Sequence, residues 1–363
     1  MTHSEFDSFR PPEPARRRRP EGKKRGTGRR DSGDGSREMP MVPEPEFTSY
    51  YGRPVVKPAP WGDEVAAYLF LGGVAAGSAL LGLGGQLTRR PTLRRNARLS
   101  ALTAVSLGAV ALVKDLGRPE RFLNMLRTIK VTSPMSVGSW ILSAFSVGAA
   151  VSAAAEIDRI SRARLPLGPL RPLLQAAEGP AGFEAALFAG PLAAYTAVLL
   201  GDTATPTWNA AHEELPFVFV SSAALASAGL AMITTPVHEA GPARKLAVLG
   251  VLGDVVAMRV MEHRMDPVAA EPLHQGKAGA MLKWSERLAA AGGLGTLQGG
   301  RNRAVAAASG LALLAASALT RFGVLEAGLS SARDPRYTIE PQKNRLAARR
   351  AAGITGDSIT TAR

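Results

Sequence analysis

No feature constrains this chain more than the series of long apolar runs that follows residue 60. Eight stretches, 65–87, 97–113, 137–155, 181–200, 215–235, 243–261, 279–297 and 304–325, alternate with short polar connections. A bilayer core calls for roughly 20 apolar residues of helix. Runs of this length without period-two alternation argue for helices over barrel strands. Small residues recur inside them, as in LGGVAAGSALLGLGG, and allow close helix packing. Trp61, Trp140 and Trp208 stand at run ends, where interfacial indoles belong. The expected fold is therefore all-α: a polytopic membrane protein, a bundle of eight transmembrane helices over residues 61–325. Lys283, Glu286 and Arg287 interrupt the seventh run, which suits either an interfacial helix or a face turned to other helices.

Residues 1–60 are rich in Pro, Gly and charge and have little to bury, so a disordered basic tail is expected there. Residues 326–363 read as a second basic tail. The formal net charge is +14, yet Lys and Arg gather in the tails and connections, as in multi-pass membrane proteins. No motif of a nucleic-acid-binding fold accompanies them, so the expected partner is membrane lipid and not nucleic acid. The arginines at 16–19 precede no apolar run before Trp61, which argues against a twin-arginine export signal. An even number of spans puts both termini on one side. Basic residues divide evenly between the two faces, so the positive-inside rule leaves the orientation open. The difficulty of translocating a long basic tail favours cytoplasmic termini in a cell (plasma) membrane.

The chain has no cysteine, which excludes disulfides, thiolate nucleophiles and Cys-ligated clusters within it. His3, His212, His238, His263 and His274 lie in the tail, in connections or at run ends, so no mid-helix pair is offered to haem. No HExxH spacing or phosphate-binding glycine loop occurs. No haem and no iron–sulfur cluster is therefore expected in this chain, and any electron chemistry must come from a partner or a diffusible cofactor. Asp254 is the most deeply placed ionisable residue, with Arg259 after it, and Glu184 interrupts the fourth run. Such residues either line an intramembrane proton or substrate path or make structural polar contacts, with Arg259 free to snorkel. Glu156, Asp158 and Glu326, near run ends, are expected to be solvated.

Between the second and third runs, RFLNMLRTIK sets Phe122, Leu123, Leu126 and Ile129 on one helical face, with Arg121, Arg127 and Lys130 largely opposite. That pattern predicts a short amphipathic interfacial helix. The preceding DLGRPE offers Gly117 and Pro119 for a turn and an Asp115–Arg118 pair at the membrane edge. Such a turn serves equally to end the second helix.

The stretch DLGRPERFLNMLRTIKVTSPMSVGSWIL resembles the signature of the NrfD/PsrC family, the integral membrane subunits of polysulfide-reductase-type oxidoreductases. WGDEVAAYLFLGGVAAGSALL is similar to the family's first helix, and GPLAAYTAVLLGDTATPTWNAAHEELPFVFVSSAALASAGLA to its fourth and fifth. The resemblance covers residues 61–235 and extends more loosely to 325. It implies an eight-helix anchor in anaerobic respiration that exchanges electrons or protons with menaquinone or another non-covalently held quinone. The implied partners are a ferredoxin-like iron–sulfur subunit and a molybdopterin catalytic subunit. The acidic GDTATPTWNAAHEEL connection and the long basic tail depart from the family pattern.

Alternation of the runs brings the three matching stretches to one membrane face, here called the near face. Asp63 and Glu64 begin the first run there, Asp115 ends the second, Tyr195 approaches that face late in the fourth, and Trp208 and Asn209 follow it. With Tyr68, a turn inside the first run, these are the candidates for holding a quinone headgroup or donating protons to it. Arg118, Glu120 and Arg121 are candidates for docking the partner or fixing the loop, and Asp254 and Glu184 for an intramembrane proton path. The rival readings are a secondary transporter or proton-translocating protein that uses Asp254, and a passive anchor.

Overall fold

A computed structural model describes residues 53–116 and 119–353. Eleven α-helices and no strand occur among the described residues: α1 (Asp63–Leu87), α2 (Pro91–Asp115), α3 (Pro134–Ile160), α4 (Leu170–Gly201), α5 (Pro206–Ala210), α6 (Leu215–Thr234), α7 (Gly241–Arg264), α8 (Pro267–His274), α9 (Gly276–Gln298), α10 (Arg303–Arg333) and α11 (Arg336–Ala351). Proline stands in the first turn of α2, α3, α5, α6, α7 and α8, where its missing N–H costs nothing. Asp266 and Asn302 cap α8 and α10, their side-chain oxygens accepting from Val268 N at 2.9 Å and Ala304 N at 2.8 Å.

Each of the eight apolar runs falls in one long helix, the fifth ending one residue past α6. Six of these, α1, α2, α3, α4, α6 and α10, are long and apolar enough to cross a membrane. The expected bundle of eight spans is thus met in six on length and composition. The exceptions, α7 and α9, have 24 and 23 residues but carry too many ionisable side chains. The expected basic tail from residue 326 begins inside α10 and continues as α11. Residues 1–52 and 354–363, which hold most of the expected N-terminal tail and the end of the C-terminal one, lie outside the described residues.

Close helix contact follows from the small residues. A Cβ on Gly229 would lie 2.5 Å from the Gly310 carbonyl oxygen, and one on Gly310 would meet Gly229 in the same way, so α6 and α10 cross backbone to backbone. Gly77 likewise admits Ser227 of α6 against α1, and Gly148 admits α4 against α3. Ser222 and Ser317 hydrogen-bond across the α6–α10 contact at 2.8 Å. Helix α6 is central, packed on α1, α4, α7 and α10.

At the far face the connections are clasped by charge. Arg94 and Arg98 of α2 converge on Glu156 of α3 at 2.7 and 2.9 Å, Arg159 adds a third contact at 3.1 Å, and Arg98 donates to Gln86 at 2.6 Å. Glu178 of α4 joins through Arg159. Arg171 holds Asp158 at 3.1 Å. The expectation that Glu156 and Asp158 are solvated is overturned: they are 1% and 5% exposed, because α2 and α4 bring arginines over them.

Glu239, in the α6–α7 connection, caps α2 from a distance. Its carboxylate accepts from Thr92 N at 2.8 Å and Leu93 N at 3.0 Å, two first-turn amides that otherwise lack partners. Burial works against the charged form, but these hydrogen bonds outweigh it and hold the group below the ordinary carboxylate value of 4.5. A depressed folded value means the contribution is complete above the unfolded value and is lost as pH falls through the folded one. Thermal melts of purified protein should therefore lose stability on acidification below about 4.5 less steeply in Glu239→Gln than in wild type. Parallel pH profiles would refute the capping role.

The 114–134 connection differs from the expected amphipathic α-helix. A 3₁₀ helix spans Pro119–Leu126, and the chain then extends to Ser133. Ser136 is the reason: its hydroxyl accepts from Lys130 N at 3.0 Å and donates to the Thr128 carbonyl at 3.1 Å, so these groups are satisfied without further helix. Ile129, expected on the apolar face, is 67% exposed.

Candidate functional site

The near face is organised by α5. Trp208 is 1% exposed, and its indole N–H donates to the Val324 carbonyl at 2.8 Å. Its ring fills a slot that only glycine permits, since a Cβ on Gly328 would lie 1.9 Å from it. Thr207 hydroxyl donates to the Ala269 carbonyl at 2.9 Å, tying α5 to α8. Trp61, just before α1, stacks on Trp208 with ring centres 5.6 Å apart. The start of α1, the α4–α6 connection and the end of α10 thus meet.

Beside Trp61 a cavity of about 230 Å³ lies among the start of α1, the start of α9 and the end of α10. Met281, Phe322, Leu325 and Leu329 form its apolar wall, and Asp63, Lys277, Glu326 and Arg333 add charge. An apolar wall with a few convergent polar groups suits a ligand with a polar headgroup and an apolar tail. Lys277 and Arg333 line it as hydrogen-bond donors for such a headgroup.

The sequence candidates divide around this cavity. Asp63 lines it. Glu64, one residue on, pairs instead with Lys114 at 3.0 Å, and Asp115 lies beside Glu64 and the Gly62 backbone. The start of α1 and the end of α2 are thus joined at the near face through Lys114. Arg118 lies outside the described residues, as does the side chain of Arg121; Glu120 is exposed. Tyr68 is 3% exposed with its ring against Gly108 of α2, and its hydroxyl has no partner. Tyr195 covers Gly138 of α3 and belongs to the α3–α4 contact. Trp208 backs Trp61 and does not line the cavity. Asn209 is exposed and donates to the Gly201 carbonyl at 3.2 Å. Glu184 is half-buried on α4 and forms no ion pair among the described residues.

A second cavity, of about 190 Å³, lies among α7, α8, α9 and α10, and Asp254 lines it together with Glu262, His274 and Thr320. Asp254 is 6% exposed, and one carboxylate oxygen has no hydrogen-bond partner. Its counter-charge is Arg321 of α10, 1% exposed. Arg321 donates to the Phe219 carbonyl at 2.6 Å and stacks 3.8 Å above the Phe219 ring, while its Nε and Nη1 lack partners. The two charges attract without touching.

Sequence reasoning missed Arg321, Lys277 and Arg333. A single arginine in SALTRFGVL was the available signal for the first. Nothing local marks the other two, which reach the cavity only through the packing of α9 and α10.

A model of the polysulphide reductase NrfD family matches residues 55–271, more than half of the chain. No curated protein matches it.

Proposed function

The chain belongs to the polysulphide reductase NrfD family, and we propose that it is the quinone-interacting membrane subunit of a polysulfide-reductase-like oxidoreductase. In this reading it passes electrons between the quinone pool and a ferredoxin-like iron–sulfur partner, which in turn serves a molybdopterin catalytic subunit. The protein is a multi-pass membrane protein. We take α7 and α9 as crossing too, giving eight spans. Arg264 at the end of α7 holds Glu214 before α6 at 3.0 Å, while Arg244 at its start holds the Val237 carbonyl beyond α6 at 2.9 Å. Helix α7 therefore runs the length of α6. Both termini lie on the near face in this arrangement, and we place that face on the cytoplasmic side of the plasma membrane.

The observation that carries the reading is the near-face cavity, with its apolar wall and its rim of Asp63 and Lys277. A quinone bound there supplies two-electron, two-proton redox chemistry. The Lys277 ammonium, which lines the cavity, would donate a hydrogen bond to a headgroup oxygen. Asp63, exposed at the rim, is placed to exchange protons with water. Trp61, braced on Trp208, excludes water from one side.

In the assembled complex, Asp63→Asn combined with Lys277→Leu is expected to lower quinol-linked turnover by about 10²-fold, the scale of a lost proton-transfer group. Turnover with artificial dyes at the partner should be unchanged. Quinol-linked turnover within about twofold of wild type would sink the assignment.

A second reading is favoured by the cavity at Asp254. A chamber lined by Glu262, His274 and Thr320 beside a buried carboxylate with an unpartnered oxygen suits a proton path. As a transporter, the purified chain alone would move protons or solute across vesicles. As part of the oxidoreductase, movement would require quinone turnover.

A further inference from the structure

The outer side of α9 carries charge where a membrane-crossing helix is expected to be apolar. Lys283, Trp284, Glu286 and Arg287 are all exposed, and Arg287 stands at the middle of the helix. Arg259 of α7, 74% exposed, lies 3.8 Å from Glu286, itself 65% exposed. Ionised side chains turned toward hydrocarbon are costly, and within bilayers they face protein or water. The Asp254 cavity accounts for part of this cluster, since Arg259, Lys283 and Glu286 line it. Arg287 and Trp284 lie outside that cavity, with the guanidinium 5.3 Å from the indole ring centre. The rest of the exposed side of α9 includes Ala280, Ala290 and Ala291, small residues that let a second helix approach.

We propose that this face is covered by the same face of a second copy of the chain, across a two-fold axis along the bilayer normal. Such an axis keeps every residue at its own depth and makes the interface self-complementary. Glu286 lies between Lys283 and Arg287 in sequence, hence within about 1.5–4.5 Å of each along the helix axis. Each copy therefore sets its carboxylate at the height of the other's cations, while the alanines allow contact. One helix carries both signs, as a self-pairing surface requires and as a purely acidic or purely apolar partner does not. The proposal rests on α9 crossing the bilayer.

The absence of cysteine makes the test clean. Ala290→Cys, treated in native membranes with a short bis-maleimide, is expected to yield a dimer of the chain. Leu107→Cys on α2, an exposed site away from this face, should stay monomeric. Glu286→Lys in the Ala290→Cys background should abolish the dimer, and adding Lys283→Glu and Arg287→Glu should restore it. No dimer from Ala280→Cys, Ala290→Cys or Ala291→Cys, or cross-linking only to a different protein, overturns the proposal. Reaction of Ala290→Cys with a membrane-impermeant maleimide in sealed vesicles overturns it at its premise, by putting α9 in water.

Discussion

Arg321→Ala is expected to destabilise the bundle by about 3–5 kcal/mol, the scale for removing one partner of a buried charge pair. Three contributions combine. The guanidinium offsets the Asp254 carboxylate in an interior with little water, satisfies the Phe219 carbonyl and covers the Phe219 ring. Lysine does not replace it, because an ammonium lacks the planar fork that donates and stacks together. Arg321→Met with Asp254→Asn should recover most of the loss, since exchanging both partners for neutral groups strands neither charge. Melting followed by tryptophan fluorescence in detergent reads both variants. Arg321→Ala melting within about 2 °C of wild type would remove the pair from any account of the fold. So would a double variant no better than the single one.

The second large effect is expected at the far face. Glu156→Ala strips the shared acceptor from Arg94, Arg98 and Arg159 at once. Arg98 is 3% exposed and would keep Gln86 as its close partner, with Glu178 at 3.9 Å. A loss of about 3–5 kcal/mol is expected for a buried cation left this way. The α3–α4 connection, freed from this clasp, should also become the first site of proteolysis. Glu156→Gln should cost less, because the amide still accepts from one arginine. A double-mutant cycle with Arg98→Met measures the coupling, and additive losses would show that the two residues act separately.

The apolar runs made the helices legible, since length and hydrophobicity are properties of consecutive residues. The charged interior was not. Arg321 reads as a mere interruption until α1 and α6 are packed against α10, where Gly73 leaves room for it and Phe219 receives it. Glu156 and Asp158 read as end-of-helix residues because their arginines arrive from α2 and the start of α4. RFLNMLRTIK showed a true amphipathic pattern, yet the hydroxyl of Ser136, six residues past its last member, decided where the helix stops. At the candidate site, alternation of the runs correctly grouped Asp63, Glu64 and Asp115 at one face. It said nothing of Lys277 or Arg333, which come from helices outside the matching stretches. Periodicity names a face of the membrane; side-chain packing names the cavity within it.

The position of Trp208 also dictates an order of biogenesis. As the chain emerges from the ribosome, Trp61 is made before it, whereas Val324, Gly328 and Ser331 are made more than a hundred residues after it. The indole of Trp208 must therefore wait, unpaired, through the synthesis of the four helices α6 to α9 before α10 supplies its acceptor and its slot. Until then α5 is held by the stack on Trp61, its local turn and, once α8 is made, the Thr207 hydrogen bond to Ala269. The early helices can enter the bilayer one by one, but the near-face cavity is completed only when the last membrane helix docks. A chain stalled before residue 324 would be inserted and still lack the near-face cavity.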